Sequence, residues 1–261
     1  MQSREESSSL LAEAISAIGD AAFEDAYLQW LRSCLAINSV TAIVYFQNKA
    51  PDALLLWSDN ETTHSMIYHT YLLGAYQIDP LYALHAKVLQ RGAYRLSDIA
   101  PDQFFRTEYY TSYYKFTGII DEVGLLARPK EGVTIVVSLS RDGKAKRRFS
   151  QMEMRQIRSL CPIATALAES HWQDLTAGRE KKDSAPVHIK LIQSLQSEHD
   201  ISLSPRQAEV ALLVLMGHSS VSIGLKLGIS QHTVRVFRKQ IYKKCNISSQ
   251  SELFRLLLPL L

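Results

Sequence analysis

Disulfide chemistry has little to work with in this sequence. Cys34, Cys161 and Cys245 are the only cysteines in 261 residues, widely spaced and odd in number. That argues against a disulfide framework or a zinc site and fits reduced thiols. Long apolar runs are also missing: no stretch reaches the roughly 18 uninterrupted apolar residues of a membrane-spanning helix, so no membrane contact is expected. Met1 to Ser9 carry Arg4, Glu5 and Glu6 among serines, without the basic start and apolar run of a secretory signal. A cytoplasmic location is the expectation. There is no internal repeat, no glycine-rich phosphate loop and no nucleophile motif. His64 and His69 are five apart, a spacing that does not place two metal ligands on one helical turn. No catalytic residue, metal or cofactor is expected, and the reading is that the chain is not an enzyme.

What is present suits two folded domains: 46% apolar residues, 21% charged residues, and a length that lets each domain bury its own core. The net charge of +3 conceals a division. From residue 201 onward eight Lys or Arg face only Glu209 and Glu252, a balance of +6, which leaves −3 on residues 1–200. A basic tail on a mildly acidic body is the asymmetry expected when one part meets phosphate. Between them Thr176 to Pro186 reads TAGREKKDSAP, without apolar periodicity. The expected organisation is a ligand-sensing or regulatory domain at 1–175, a linker at 176–200, with a short helix from Val187 to Leu195, and a DNA-binding domain at 201–261.

Before the linker, helical and strand patterns alternate. Ala12 to Ile18 and Phe23 to Leu35 have amphipathic helical spacing, and Ser39 to Phe46 is β-branched and aromatic enough for a strand. Leu54 to Trp57 pairs with it across a turn at Asn48 to Asp52. Helices are expected at Met66 to Tyr76, Leu81 to Leu89, Pro101 to Phe116 and Met152 to Trp172. Further strands are expected at Ala93 to Leu96, Glu122 to Ala127 and Val133 to Ser140. Five strands, some in hairpins and some separated by helices, imply an α+β domain, an α-β-α sandwich around a mostly antiparallel five-stranded sheet.

The tail is all helix, and its boundaries are written in its caps. Ser204-Pro205-Arg206-Gln207 has the capping-box pattern with Pro at the first helical position, and Gly217 ends that helix. A second helix spans about Ser220 to Leu227 and stops at Gly228. Ser230 caps a third that runs to about Lys244, and Ser249 to Glu252 start a fourth. In the third helix Val234, Phe237, Ile241 and Cys245 form an inward face, while Arg235, Lys239 and Tyr242 or Lys243 lie on another, with Arg238 and Val236 at its edges. Two short helices joined by Gly228-Ile229-Ser230, the second bearing a cationic stripe, match the docking of a recognition helix in the major groove. In the fourth, Leu253, Phe254, Leu257 and Leu258 exceed what a short helix needs to dock, so a share of that surface is expected to meet a partner in a homodimer. Met152 to Trp172 is the competing dimer surface.

The run from Leu203 to Leu257 resembles the DNA-binding domain of the LuxR family of bacterial regulators. The likeness rests on Leu203-Ser204-Pro205-Arg206, Glu209-Val210, Gly217, Ile223, Leu227-Gly228-Ile229-Ser230, Thr233-Val234, Ile241 and Ser251-Glu252-Leu253. It implies a four-helix domain in which Arg235, Val236 and Lys239 face bases while Thr233, Arg238 and Lys243 lie nearer the phosphates; Ser230, the cap, is a further DNA-binding candidate. Double-stranded DNA with a paired operator site is the implied partner. Val221 and Ser222 depart from the pattern where a basic and an acidic residue are common, and Gly224 replaces a usual alanine.

Nine of the chain's 12 tyrosines fall between Tyr68 and Tyr114. Such amphipathic aromatics line small-molecule pockets, and they also build ordinary cores. Ile78-Asp79-Pro80-Leu81 is similar to the aspartate-proline segment of the autoinducer-binding domains found in one branch of the same family. There the carboxylate accepts a hydrogen bond from the ligand amide, and Tyr94 falls near a position that donates to a lactone carbonyl. Trp57, Tyr71, Asp79 and Tyr94 are therefore the candidate contacts for a small, partly apolar ligand. Two alternatives stay open: Asp79 as a helix cap before Pro80, and a front domain that binds a protein and no small molecule. Phosphoryl control through a receiver domain is not expected, because the strand at Val40 to Phe46 leads into Gln47-Asn48-Lys49 and not into an aspartate.

Overall fold

The computed structural model describes residues 2–87, 90–145, 147–176 and 186–261. Most of the expected linker, 177–185, lies outside the described residues. In chain order the elements are α1 (Gln2–Ser16), α2 (Phe23–Cys34), β1 (Ser39–Phe46), β2 (Asp52–Ser58), α3 (Glu61–Met66), α4 (Tyr82–Ala86), β3 (Gly92–Arg95) and α5 (Leu96–Ile99). They continue with α6 (Lys115–Thr117), β4 (Ile119–Lys130), β5 (Val133–Asp142), α7 (Gln151–His171), α8 (Val187–His199), α9 (Pro205–Leu215), α10 (Ser220–Leu227), α11 (Gln231–Lys244) and α12 (Gln250–Leu257). The α+β front half with its five-stranded antiparallel sheet and the all-helical tail are as the sequence implies.

The chain forms two compact units. The first comprises Met1–His64, Leu84–Asp98 and Gly118–Glu180; the second comprises Ser65–Ala83, Ile99–Thr117 and Lys181–Leu261. In the first, the strand order is β2-β1-β5-β4-β3, antiparallel throughout. Strand alternation sends Val40, Ala42, Val44, Val133, Ile135, Val137, Leu139, Val123 and Leu125 to one face, where they pack with Phe23, Tyr27, Trp30 and Leu31 of α2 and Ile157, Ala164 and Leu167 of α7. Fully burying an aliphatic or aromatic side chain of this size contributes about 1.5–3 kcal/mol, so this layer dominates the unit's stability. Ser150 and Glu153 cap α7 reciprocally, and Asp121 ties its approach by accepting from the Phe149 amide at 2.8 Å and from Arg95 at 2.5 Å. Lys130 and Val133 close the β4–β5 hairpin after a register shift that spans Pro129, a residue with no ladder N–H to offer.

The second unit departs most from expectation. The helix expected over Met66 to Tyr76 ends its α-helical part at Met66, continues as a π-helical turn at Ile67–Tyr71, and resumes as a 3₁₀ turn at Ala75–Ile78. The single helix expected over Pro101 to Phe116 is a 3₁₀ turn at Phe104–Arg106, a π-helical turn at Tyr110–Tyr114 and α6. Thr107 accounts for the break: its hydroxyl donates to the Phe104 carbonyl at 2.7 Å and accepts from the Tyr110 amide at 3.1 Å, closing one turn and starting the next.

Candidate nucleic-acid interface

The four tail helices are placed by local chemistry. Ser204 caps α9 with Gln207 returning the bond, and Ser219, Ser230 and Ser249 each accept the amide three residues ahead. Each such cap contributes about 1 kcal/mol. Gly228 ends α10 at φ +65°, a conformation that favours glycine. Gly224, a departure from the resemblance, has a steric reason: a Cβ there would lie 2.7 Å from the Ile229 carbonyl oxygen. The α10–α11 turn folds that closely over the helix before it.

In α11, Val234 and Ile241 are buried and Phe237 is half-buried, so the inward face is the one its spacing implies. Arg235, Lys239 and Lys243 are exposed, Arg238 and Thr233 half-buried, Ser230 exposed, and Val236 is 40% exposed. Among the described residues none of Arg235, Arg238, Lys239 and Lys243 has a hydrogen bond or ion pair. Other tail cations are occupied. Arg206 bridges Glu209 at 2.8 Å and donates to the Leu227 carbonyl, and Lys244 holds the Ser202 carbonyl and Gln207 Oε1 at 2.8 and 2.9 Å. His232, which the sequence reading passed over, is exposed one turn before Arg235 and Val236; its three- and seven-residue spacing from Arg235 and Lys239 is the signal that finds it. A capped helix with a row of uncommitted cations, set one short helix and a glycine turn after α10, can lie in a major groove and offer donors to base edges.

Residues 201–257 match the family model described as bacterial regulatory proteins, luxR family. An HTH-type transcriptional regulator in the exeN 3' region of Aeromonas salmonicida is 29% identical over 184 residues, which is 69% of this chain and 93% of that protein. The response regulator protein TmoT of Ectopseudomonas mendocina is 37% identical over 76 residues, 29% of this chain and 32% of that protein. Residues 201–257 form a luxR-type DNA-binding domain. The VqsR LBD domain of Pseudomonas aeruginosa shares the fold of the front half, with a TM-score of 0.55, 23% identity, and coverage of 65% of this chain and 97% of that domain.

The sensor candidates of the front half do not converge. Val40 pairs with Trp57 and with Leu139, Leu139 with Val123, and Val123 with Arg95, so Trp57 stands on the core face of the sheet, where the Arg32 guanidinium lies 4.1 Å from its ring. Tyr94 precedes Arg95 and so faces the other side, on β3, with its hydroxyl donating to the Gln90 carbonyl at 2.7 Å. β2 and β3 are the two edges of the sheet, about 19 Å apart over four strand spacings. Trp57 and Tyr94 therefore do not line one site.

Tyr71 and Asp79 are joined, by other tyrosines. Tyr71 stacks on Tyr113, and Tyr113 on Tyr109, at ring distances of 6.0 and 5.1 Å. The Tyr109 hydroxyl donates to Asp79 Oδ2 at 2.7 Å, and Tyr114 donates to the same oxygen at 3.3 Å. Asp79 Oδ1 accepts the Leu81 amide at 2.6 Å, and the Tyr82 amide adds a further bond. Four donors fill the sites of one carboxylate. Burial pushes the Asp79 carboxyl up from its ordinary range, partly offset by these bonds, and burial lifts the Tyr109 hydroxyl well above 10. The unspent polar groups lie elsewhere. Among the described residues, Ser39 Oγ, on a residue 3% exposed, and His64 Nε2 are buried without a partner. On the sheet face opposite the main core, His85 bonds Thr134 at 2.8 Å, and its pKa is lowered to about 4, first by burial and then by the Arg128 charge.

Leu253, Phe254 and Leu257 of α12 are buried within the chain. Three of the four residues expected to offer a dimer surface are thus already covered, and the fourth, Leu258, is half-buried.

Proposed function

We propose that this regulator reads DNA with Arg235, Val236 and Lys239 against base edges, and that Ser230, Thr233, Arg238 and Lys243, joined by His232, position it on phosphates. The observation that carries the DNA-binding reading is the contrast between the uncommitted cations of α11 and the internally bonded Arg206 and Lys244. Replacing Lys243 by Ala should weaken binding of the full chain to any 30-bp duplex and lower the slope of log affinity against log salt by about one unit. Lys244→Ala should instead lower folding stability. Equal salt slopes in Lys243→Ala and the parent would remove Lys243 from the phosphate contacts.

The domain division we propose keeps 1–175 as the sensor, 176–200 as the connection that includes α8, and 201–261 as the DNA-binding part. Because the apolar face of α12 is covered, the homodimer is proposed to form through α7, where Met152 and Ile163 are 70% and 41% exposed. A paired operator follows from paired recognition helices. The sensor is proposed to bind a small, partly apolar molecule whose polar end meets the Ser39 hydroxyl and the His64 imidazole, since buried polar atoms without partners are rare in finished cores. Saturation of Asp79 favours the second reading, a front domain that contacts a protein and takes no small ligand. Mass spectrometry of the intact, natively folded chain from its own host separates the two: a retained small molecule supports the sensor, and a bare chain supports the interaction module.

A further inference from the structure

Segment Ile99–Thr117 touches two things at once within the second unit. At its start it lies on the helix-turn-helix. The Gln103 amide donates to the Gly217 carbonyl at 2.8 Å, and the Ser219 amide at the start of α10 donates to Asp102 Oδ1 at 2.9 Å. Gly217 has φ +93°, and a Cβ there would lie 2.6 Å from Phe104 Cα and 2.9 Å from Thr107 Cγ2, so the turn before α10 is pressed against residues 104–107. Ser251 of α12 donates to Glu108 Oε2 at 2.7 Å, and Ser112 donates to Oε1 at 2.6 Å.

At its end the same segment hangs from Asp79 through the hydroxyls of Tyr109 and Tyr114. Phe104 links the two ends. It lies under Gly217 and meets the rings of Tyr109, Tyr110 and Tyr114 edge-on at 6.0, 5.7 and 5.9 Å.

We propose that Asp79 is a positioning residue for the DNA-binding domain: its carboxylate fixes Tyr109 and Tyr114, these fix Phe104, and Phe104 with Asp102 and Glu108 fixes the turn before α10 and the start of α12. The cations of α11 take no part in this contact. The block therefore sets where the helix-turn-helix is held and leaves its cationic stripe open. Whatever alters the tyrosine block reaches the DNA-binding domain as a loss of orientation. The regulatory meaning rests on the DNA-binding reading of α11; the mechanical link does not.

The test is amide hydrogen exchange on the full chain, comparing the parent with Asp79→Asn and Tyr109→Phe, alongside binding of a random-sequence 30-bp duplex. Tyr109→Phe keeps the ring and removes only the bond, so it guards against a variant that fails to fold. Exchange at Gln103 and Ser219 should quicken tenfold or more in Asp79→Asn and severalfold in Tyr109→Phe. Amides of β4, β5 and α7 should keep their rates, and duplex affinity should stay within twofold. Unchanged exchange at Gln103 and Ser219 in both variants would overturn the proposal. So would a uniform rise that includes β4 and β5, because Asp79 would then support the fold at large. If the parent itself fails to bind duplex, the DNA reading falls, and the exchange result still decides the positioning role.

Discussion

The tail helices and the segments at 65–83 and 99–117 belong to one compact unit, yet they are held by different kinds of interaction. In the tail, Ser204, Ser219, Ser230 and Ser249 each satisfy a helix start from within three residues, and Gly228 ends a helix by its own backbone freedom. In the two segments, the anchors are distant in sequence. Asp79 is held by residues 30 and 35 positions away, and the turn at Gly217 is held by Gln103 and Phe104. Local caps make an element that forms wherever its sequence goes. Tertiary anchors make one that exists only while its partners are in place.

The contrast predicts a ranking of effects. Asp79→Ala should cost most, about 3 kcal/mol in urea unfolding, because it leaves two buried tyrosine hydroxyls and two amides without an acceptor; a loss under 1 kcal/mol would show that the anchor is dispensable. Gly217→Ala should cost about 2 kcal/mol, from positive φ and from the close approach of Phe104, and a neutral result would mean that the contact yields easily. Ser230→Ala should cost only about 1 kcal/mol, with the loss confined to α11 when followed by amide exchange. A further effect is expected from pH. His85 has its pKa lowered to about 4 from 6.5, so the stability it contributes is present above pH 6.5 and is lost as pH falls from 6.5 towards 4. The melting temperature of His85→Gln should fall less steeply across that window than that of the parent; parallel curves would place the titration elsewhere.

The same contrast explains what was legible in the sequence. β1 at Ser39–Phe46 and α10 at Ser220–Leu227 carry their own alternation or caps and stand where their residues put them. The breaks at 72–74 and at Thr107 are not legible, because Thr107 looks like any helical threonine until its hydroxyl closes one turn and opens the next. The cationic stripe of α11 was readable from spacing, whereas the occupied state of Lys244 depends on Ser202 and Gln207 folding back to it. Trp57 and Tyr94 looked like members of one site because sequence does not reveal that β2 and β3 take opposite edges of the sheet. Asp79 was readable as a cap, and its Oδ1 does accept the Leu81 amide, but its tyrosine partners were not readable because they lie in another segment.

The most direct test of the account concerns α11. Select a high-affinity operator from a random pool with the full chain, then measure operator and random-duplex affinities for Arg235→Ala, Lys239→Ala and Lys243→Ala. If Arg235 and Lys239 read bases, each of their replacements should cost about 1–3 kcal/mol on the operator and much less on the random duplex, while Lys243→Ala weakens both alike. Equal losses on both duplexes for Arg235→Ala and Lys239→Ala would make α11 an electrostatic clamp and contradict the account.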